Sequence, residues 1–331
     1  MKVIPKIVLI LMAVATLAIL ITFIITAPPK ATDIVLPTEM DMEQAVESLD
    51  VMENTWQTAL PQTDIYRLVT EHFNSPLPEG KTEKKAIVIG YDGCRIDTFR
   101  LLGKEHDSAF LTLLNDGGHA VFSYCGGVNY PEENIQDTST APGWGSMLTG
   151  VWASSIGVTG NGQPKPLEPK TMLLSLVEDG TIDSSAFYVS WDGHFSKKSA
   201  TYINEKNYID EKGLNVNFKR ALGDKGTAAN VLSDLKSADC SDFIFLTLEY
   251  TDHNGHNTGF SVQNPNYVAG FYAAEKSGKS FIDAIKARST YGTEDWLILM
   301  TTDHGGIRGS HGGSSFDERI TYIVSNKDII E

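Results

Sequence analysis

The sequence predicts an α/β fold with a mostly parallel central sheet flanked by helices, preceded by one N-terminal transmembrane helix. Two observations predict the sheet. "AIVIGYDG" (Ala86–Gly93), "AFYVSWDG" (Ala186–Gly193), "FIFLTLEYTD" (Phe243–Asp252), "WLILMTTD" (Trp296–Asp303) and "ITYIVS" (Ile320–Ser325) are short, near-continuously apolar runs. Such runs suit strands covered on both faces, whereas a half-solvated strand would alternate. Between them lie helical patterns at Asp97–Leu102, Pro142–Gly150, Gly226–Lys236 and Asn266–Arg288, and strand–helix alternation builds parallel sheets.

The third observation is "IVLILMAVATLAILITFIITA" (Ile7–Ala27), which carries no charge. About 20 apolar residues cross a bilayer as a helix, whereas a cleaved signal has an apolar core of about 7–15 residues. Ile25 and Ala27 before Pro28 make a poor cleavage context, so an uncleaved anchor is favoured over a signal peptide. Lys2 and Lys6 mark the cytoplasmic end, which places the rest of the chain outside: a single-pass protein of the cell membrane with an extracytoplasmic domain.

The chain then divides into an anchor (residues 1–29), an acidic helical stalk or packed helix (30–84) and a catalytic domain (85–331). Met42, Val46 and Leu49, then Ile65, Leu68 and Val69, recur at helical spacing, and "NSPLPEGKTEKK" (Asn74–Lys85) is a loop leading into the domain. The formal net charge of −15 argues against a basic face gripping a nucleic-acid duplex. It does not exclude an anionic small substrate, because bound cations reverse the field locally. Cys94, Cys125 and Cys240 form no CxxC pair; buried, unpaired thiols are the simpler reading than a disulfide or a thiolate metal site.

Three of the predicted strands end in an acid: Asp92, Asp252 and Asp303. Ligands of open α/β sheets bind outside the carboxyl ends of the strands, so these acids should share one crevice. His256 and His304 accompany the second and third, and His311 follows in "GSHGG". Carboxylates and imidazoles without cysteine suit zinc, with manganese or iron as alternatives, better than calcium. A strand-end Asp can equally cap the next helix, but six residues placed this consistently favour ligation. His253 is read as a surface or supporting residue.

Thr140 precedes Pro142, a residue favoured in the first turn of a helix. A hydroxyl there sits beside free backbone N–H groups that cradle phosphate or sulfate; the alternative is that Thr140 only caps the helix.

Taken together, a strand-end Asp, Thr-x-Pro, "DHNGH", "TDHGG" and a final His resemble the alkaline phosphatase superfamily, closest to its nucleotide pyrophosphatase/phosphodiesterase branch. The resemblance runs from Ala86 to about Ser325. It implies two metal ions, one held by Asp252, His256 and His311, the other by Asp92, Asp303 and His304 and touching the Thr140 oxygen. It also implies Thr140 as nucleophile, a phospho-threonine intermediate, and Asn161 with a backbone N–H binding a phosphoryl oxygen. The expected activity is hydrolysis of small phosphate diesters or pyrophosphates. A phosphomonoesterase, a headgroup phosphotransferase and a catalytically silent binding module are the alternatives. The sulfatases of the superfamily carry Cys/Ser-x-Pro-x-Arg, whereas this chain has "TAPGW", with Trp144 where the arginine stands, so sulfatase activity is not expected. Trp144, Trp191 and His194 are candidate walls of a leaving-group pocket, with packing as the plainer reading, and Arg95 lies near Asp92 in sequence without a sign that it reaches the site.

Overall fold

Among the described residues, eight strands form one sheet in the order β1-β3-β8-β7-β2-β6-β4-β5. They are β1 Leu60–Pro61, β2 Glu83–Tyr91, β3 His119–Tyr124, β4 Ser185–Val189, β5 Val216–Arg220, β6 Phe243–Leu248, β7 Glu294–Thr301 and β8 Ile320–Ser325. The computed structural model describes residues 60–102, 108–126 and 136–329. The apolar runs work as a period-two pattern feeding two cores. Ile87, Ile89 and Tyr91 of β2, Ile244, Leu246 and Leu248 of β6, and Trp296, Ile298 and Met300 of β7 pack on one face. Ala86, Val88, Phe243, Phe245, Leu297 and Leu299 pack on the other. The helices Ala109–Asn115, Asp224–Leu235 and Pro265–Lys286 cover the first face. Asp64–Asn74, Thr140–Thr149, Met172–Glu178 and Ile203–Lys212 cover the second.

The sheet is mixed, as β8 runs antiparallel to both β7 and β3 while the remaining neighbours are parallel. A parallel partner for β7 would require a crossover to the other end of the sheet. Instead the chain stays at the carboxyl end after Thr301, and the short helix Phe316–Arg319 leads straight back into β8. The apolar run Ile320–Ser325 gave no sign of direction.

Two sequence expectations shift. Leu60–Pro61 pairs with Ser123–Tyr124 of β3, and Ile65, Leu68 and Val69 of the helix Asp64–Asn74 are buried in the second core. The packed-helix reading is thus the one that fits, and the packed body begins ahead of residue 85, because the apolar stripe of that helix needs a sheet to cover it. Asp252 does not end a strand: β6 stops at Leu248, and Asp252 lies in the first turn of the helix Tyr250–Thr258. No helix among the described residues is long and apolar enough to cross a membrane, and the proposed anchor Ile7–Ala27 lies outside them. Cys94, Cys125 and Cys240 are all buried and free.

Candidate metal centre

β6, β2 and β7 are consecutive in the sheet, and neighbouring strands lie about 4.8 Å apart. Their carboxyl ends therefore deliver side chains to one place even though up to 211 positions of sequence separate Asp92 from Asp303. The Asp252 amide donates to the Asp92 carbonyl oxygen at 3.0 Å, fixing the β6 helix against the end of β2. Gly93 follows with φ of 63°, and a Cβ there would lie 2.8 Å from the Asp252 carboxylate. Only glycine turns the chain here and lets the two acids approach.

The first group is Asp92, Asp303 and His304, all fully buried. His304 Nδ1 lies 2.7 Å from the Gly305 carbonyl oxygen. A carbonyl accepts only, so Nδ1 carries the proton and Nε2 presents a lone pair. That Nε2 lies 3.6 Å from Asp92 Oδ1 and 3.3 Å from Asp303 Oδ2. None of these three converging atoms has a hydrogen-bond partner. Buried polar atoms are ordinarily satisfied, so three orphans facing one point fit a cation. The opposite oxygen of each acid is engaged: Asp92 Oδ2 accepts the Trp144 indole N–H at 2.9 Å, and Asp303 Oδ1 accepts the Gly93 and His304 amides at 3.1 and 3.0 Å.

Asp252, His256 and His311 form the second group. The i, i+4 spacing puts Asp252 and His256 on one face of their helix, with His256 Nε2 3.4 Å from Asp252 Oδ2. His311 Nε2 lies 3.5 Å from Asp252 Oδ1, an oxygen with no hydrogen-bond partner, and 3.0 Å from His256 Nε2. Both imidazoles place Nδ1 on a backbone carbonyl, His256 on Gly309 at 3.0 Å and His311 on Thr138 at 2.8 Å. Two Nε2 lone pairs aimed at each other need an electrophile between them. His304 stacks on His311 with ring centroids 3.9 Å apart, and Asp252, His304 and His311 can also be grouped within 4.8 Å. The two groups thus share a wall. His256 is exposed, which opens the second group to solvent.

Thr140 is the first residue of its helix and Ser139 is the N-cap, making no side-chain cap bond. The first turn abuts the metal group, since a Cβ on Gly143 would sit 2.8 Å from Asp303 Cβ. The Ala141 amide donates to Asn161 Oδ1 at 2.9 Å, so the Asn161 amide stands beside the residue that follows Thr140. Thr138 Oγ1 is occupied, donating to the Gly313 carbonyl oxygen and accepting the Gly312 amide, which ties the His311 loop to this helix.

One participant was missed from sequence. Glu249 groups with Asp92 and Asp252 within 4.8 Å. Its signal was in plain view as the only charge closing the β6 run, three residues before Asp252. Burial, then the Asp92 charge, holds the Glu249 carboxyl well above its ordinary range. Burial and Asp252 raise Asp92, and burial and Asp92 raise Asp303. Burial, then His311, pushes His304 well below the usual imidazole value. The ion pairs these acids make among the described residues are with histidines.

The proposed pocket walls divide. Trp144 is fully buried and edge-on to Phe245 at 5.7 Å, so it is no stacking surface for a substrate; its N–H serves Asp92 instead. His194 is also fully buried, stacked on Tyr202 at 6.0 Å, with Nε2 3.4 Å from Thr247 Oγ1. Burial pushes it down to about 3, and it packs rather than lines a pocket. For both the plainer reading, packing, fits, since sequence distance from a strand end does not say which way an aromatic points. Trp191, partly exposed, packs against the cluster of Ala141, Ile156 and Val158. Arg95 is held by Asp97 at 3.0 Å and Asp317 at 3.1 Å, with an N–H on the Gly306 carbonyl oxygen. His253 is exposed.

A helix-flanked central sheet with this Asp/His constellation at its carboxyl end is an alkaline phosphatase-like arrangement. The sequence profile described as Type I phosphodiesterase / nucleotide pyrophosphatase matches residues 86–318, and the chain belongs to that family. No curated protein matches it. Solved structures that resemble it include Ps i-CgsB, at 13% identity over 73% of this chain and 66% of that one with a TM-score of 0.46. The phosphonate monoester hydrolase of Agrobacterium radiobacter is 12% identical over 73% and 68%, with a TM-score of 0.46. Murine ectonucleotide pyrophosphatase/phosphodiesterase 5 is 17% identical over 67% and 57%, with a TM-score of 0.43. The chain spans just under two thirds of the first of these and less of the third. At such similarity none of them bears on what this chain acts upon.

Proposed function

We propose that the protein is a membrane-anchored, extracytoplasmic hydrolase of phosphate diesters or pyrophosphates that works with two divalent metal ions, zinc first, with manganese or iron as alternatives. The observation that carries this reading is the convergence of three buried, unpartnered atoms, Asp92 Oδ1, Asp303 Oδ2 and His304 Nε2, beside the first turn of the Thr140 helix. Asp92, Asp303 and His304 would hold one ion together with the Thr140 oxygen, and Asp252, His256 and His311 the other. Bound there, such ions polarise phosphoryl oxygens and make a hydroxyl nucleophilic near neutral pH.

The chain's own groups supply the rest. Thr140 Oγ attacks phosphorus; the Thr140–phosphorus bond forms as the bond to the leaving oxygen breaks. Water then cleaves the phospho-threonine, releasing a monoester or phosphate and restoring the hydroxyl. The Asn161 side-chain N–H, with a backbone N–H beside the nucleophile, binds a nonreacting phosphoryl oxygen. Ser139 makes no side-chain cap bond, while the Ala141 amide is taken by Asn161 Oδ1 and the Gly143 amide by the Ser139 carbonyl oxygen.

Diesters are favoured over monoesters on charge. A dianionic monoester needs an added cation, yet Arg95 is taken up by Asp97 and Asp317. The test compares turnover of bis-nitrophenyl phosphate with that of nitrophenyl phosphate by the intact chain in detergent with added zinc. Faster diester turnover is expected. Dominant monoester turnover would overturn the substrate class, and metal binding without turnover of either would favour a silent binding module.

A further inference from the structure

We propose that Trp144 is a positioning residue whose indole N–H decides which oxygen of Asp92 remains free for a metal ion; the role rests on the two-ion reading above. An aspartate carboxylate can rotate to present either oxygen. In this site both metal-facing acids are clamped through one oxygen so that the other is left over. For Asp303 the clamp is backbone, the amides of Gly93 and His304 on Oδ1. For Asp92 it is a side chain, Trp144 Nε1 to Oδ2 at 2.9 Å, while Oδ1 stays unpartnered 3.6 Å from His304 Nε2.

Indole nitrogen donates and never accepts, so the bond has one polarity. The donor is also immobile. Trp144 is fully buried, lies against Gly90 and meets Phe245 edge-on at 84°. Repulsion from Glu249 and Asp252, grouped with Asp92 within 4.8 Å, would otherwise turn the Asp92 carboxylate away. Trp144 is four residues after Thr140, one helical turn along the same face. The same bond therefore holds the helix that carries Thr140 in register with the acid that faces the ion.

Trp144→Phe keeps an aromatic ring and removes the N–H. Loss of a group that orients a metal ligand ordinarily weakens metal binding roughly 10–100-fold. That fall in zinc affinity, read by competition with a chromophoric chelator, is the expected result, with turnover partly restored at saturating zinc. Phe245→Leu is the packing control: it should lower the melting temperature and leave zinc affinity unchanged. Trp144→Phe with wild-type affinity would overturn the proposal, as would an equal loss in Phe245→Leu. Should Trp144→Phe fail to fold, the ¹⁵N-labelled wild-type chain answers instead. The Trp144 indole proton should resist solvent exchange and shift when zinc is added, and an exchanging or unmoved resonance would count against the role. A wild-type chain that binds no divalent ion defeats the two-ion reading itself, whereas equal binding by wild type and variant defeats only this inference.

Discussion

Removing divalent metal should destabilise the folded chain markedly, and the size follows from the atoms left bare. Asp92 Oδ1, Asp303 Oδ2 and His304 Nε2 are buried without partners, and Asp252 Oδ1 joins them in the second group. Each unsatisfied buried polar atom costs about 1–3 kcal/mol, so the first group alone holds roughly 3–9 kcal/mol that an ion can relieve. At free zinc about 1,000 times the dissociation constant, binding adds about 4 kcal/mol of stability. For a domain of this size each kcal/mol moves the melting temperature by about 2–4 °C, so zinc should raise it by roughly 8–16 °C over the chelated chain. Differential scanning calorimetry of the intact chain in detergent, after dialysis against chelator and with zinc, manganese or ferrous iron restored, measures the gap. A shift near zero with all three ions would refute the reasoning, since the orphaned atoms would then be satisfied by something else.

Other outcomes follow from single side chains. Thr140→Ala should lower turnover about 10³–10⁶-fold, the range for loss of a nucleophile, with zinc content unchanged by elemental analysis; undiminished activity would move the role to Ser139 or Thr138. His304→Ala should lose the metal-induced gain in melting temperature, and full zinc occupancy in that variant would discredit the ligand set. Trp191→Ala should weaken a substrate with an aromatic leaving group by about 1–3 kcal/mol, seen as a higher KM against an alkyl ester whose KM does not move. Glu275, fully buried and bonded to the Tyr91 hydroxyl at 3.1 Å and to Ser108, is pushed by burial up to about 7 from 4.5. A carboxyl raised on folding contributes stability below pH 4.5 that is lost as pH rises through about 7. The loss is about 3 kcal/mol, and Glu275→Gln should flatten that fall in urea titrations between pH 5 and 8; an unchanged slope would assign it to other groups.

Much of the site was legible because its residues are polar exceptions in an apolar text. Asp92 and Asp303 end runs that are otherwise buried, and a charge at the end of a two-sided strand has few places to be but the crevice. His256 and His304 follow Asp252 and Asp303 closely in the chain, whereas the division of the histidines between two ions came from the family resemblance. Glu249 was not noticed because it lay inside the predicted strand Phe243–Asp252, whereas it is the N-cap of the helix Tyr250–Thr258 and groups with Asp92 and Asp252. Trp144 and His194 were offered as pocket walls with packing as the plainer reading, and packing it is: side-chain direction is set by what fills the space behind the helix and the sheet, and both are fully buried.

The sequence by itself determined the α/β alternation, the two-faced strands and the presence of acids and imidazoles after them, because hydrophobic period and residue chemistry are local properties. Strand order, the reversal of β8, the inclusion of residues 60–84 in the packed body, the tautomer of each histidine and the oxygen each aspartate leaves free were decided only by tertiary structure. These depend on contacts between residues far apart in the chain, and a linear pattern does not encode which distant backbone carbonyl or indole N–H will meet a given side chain.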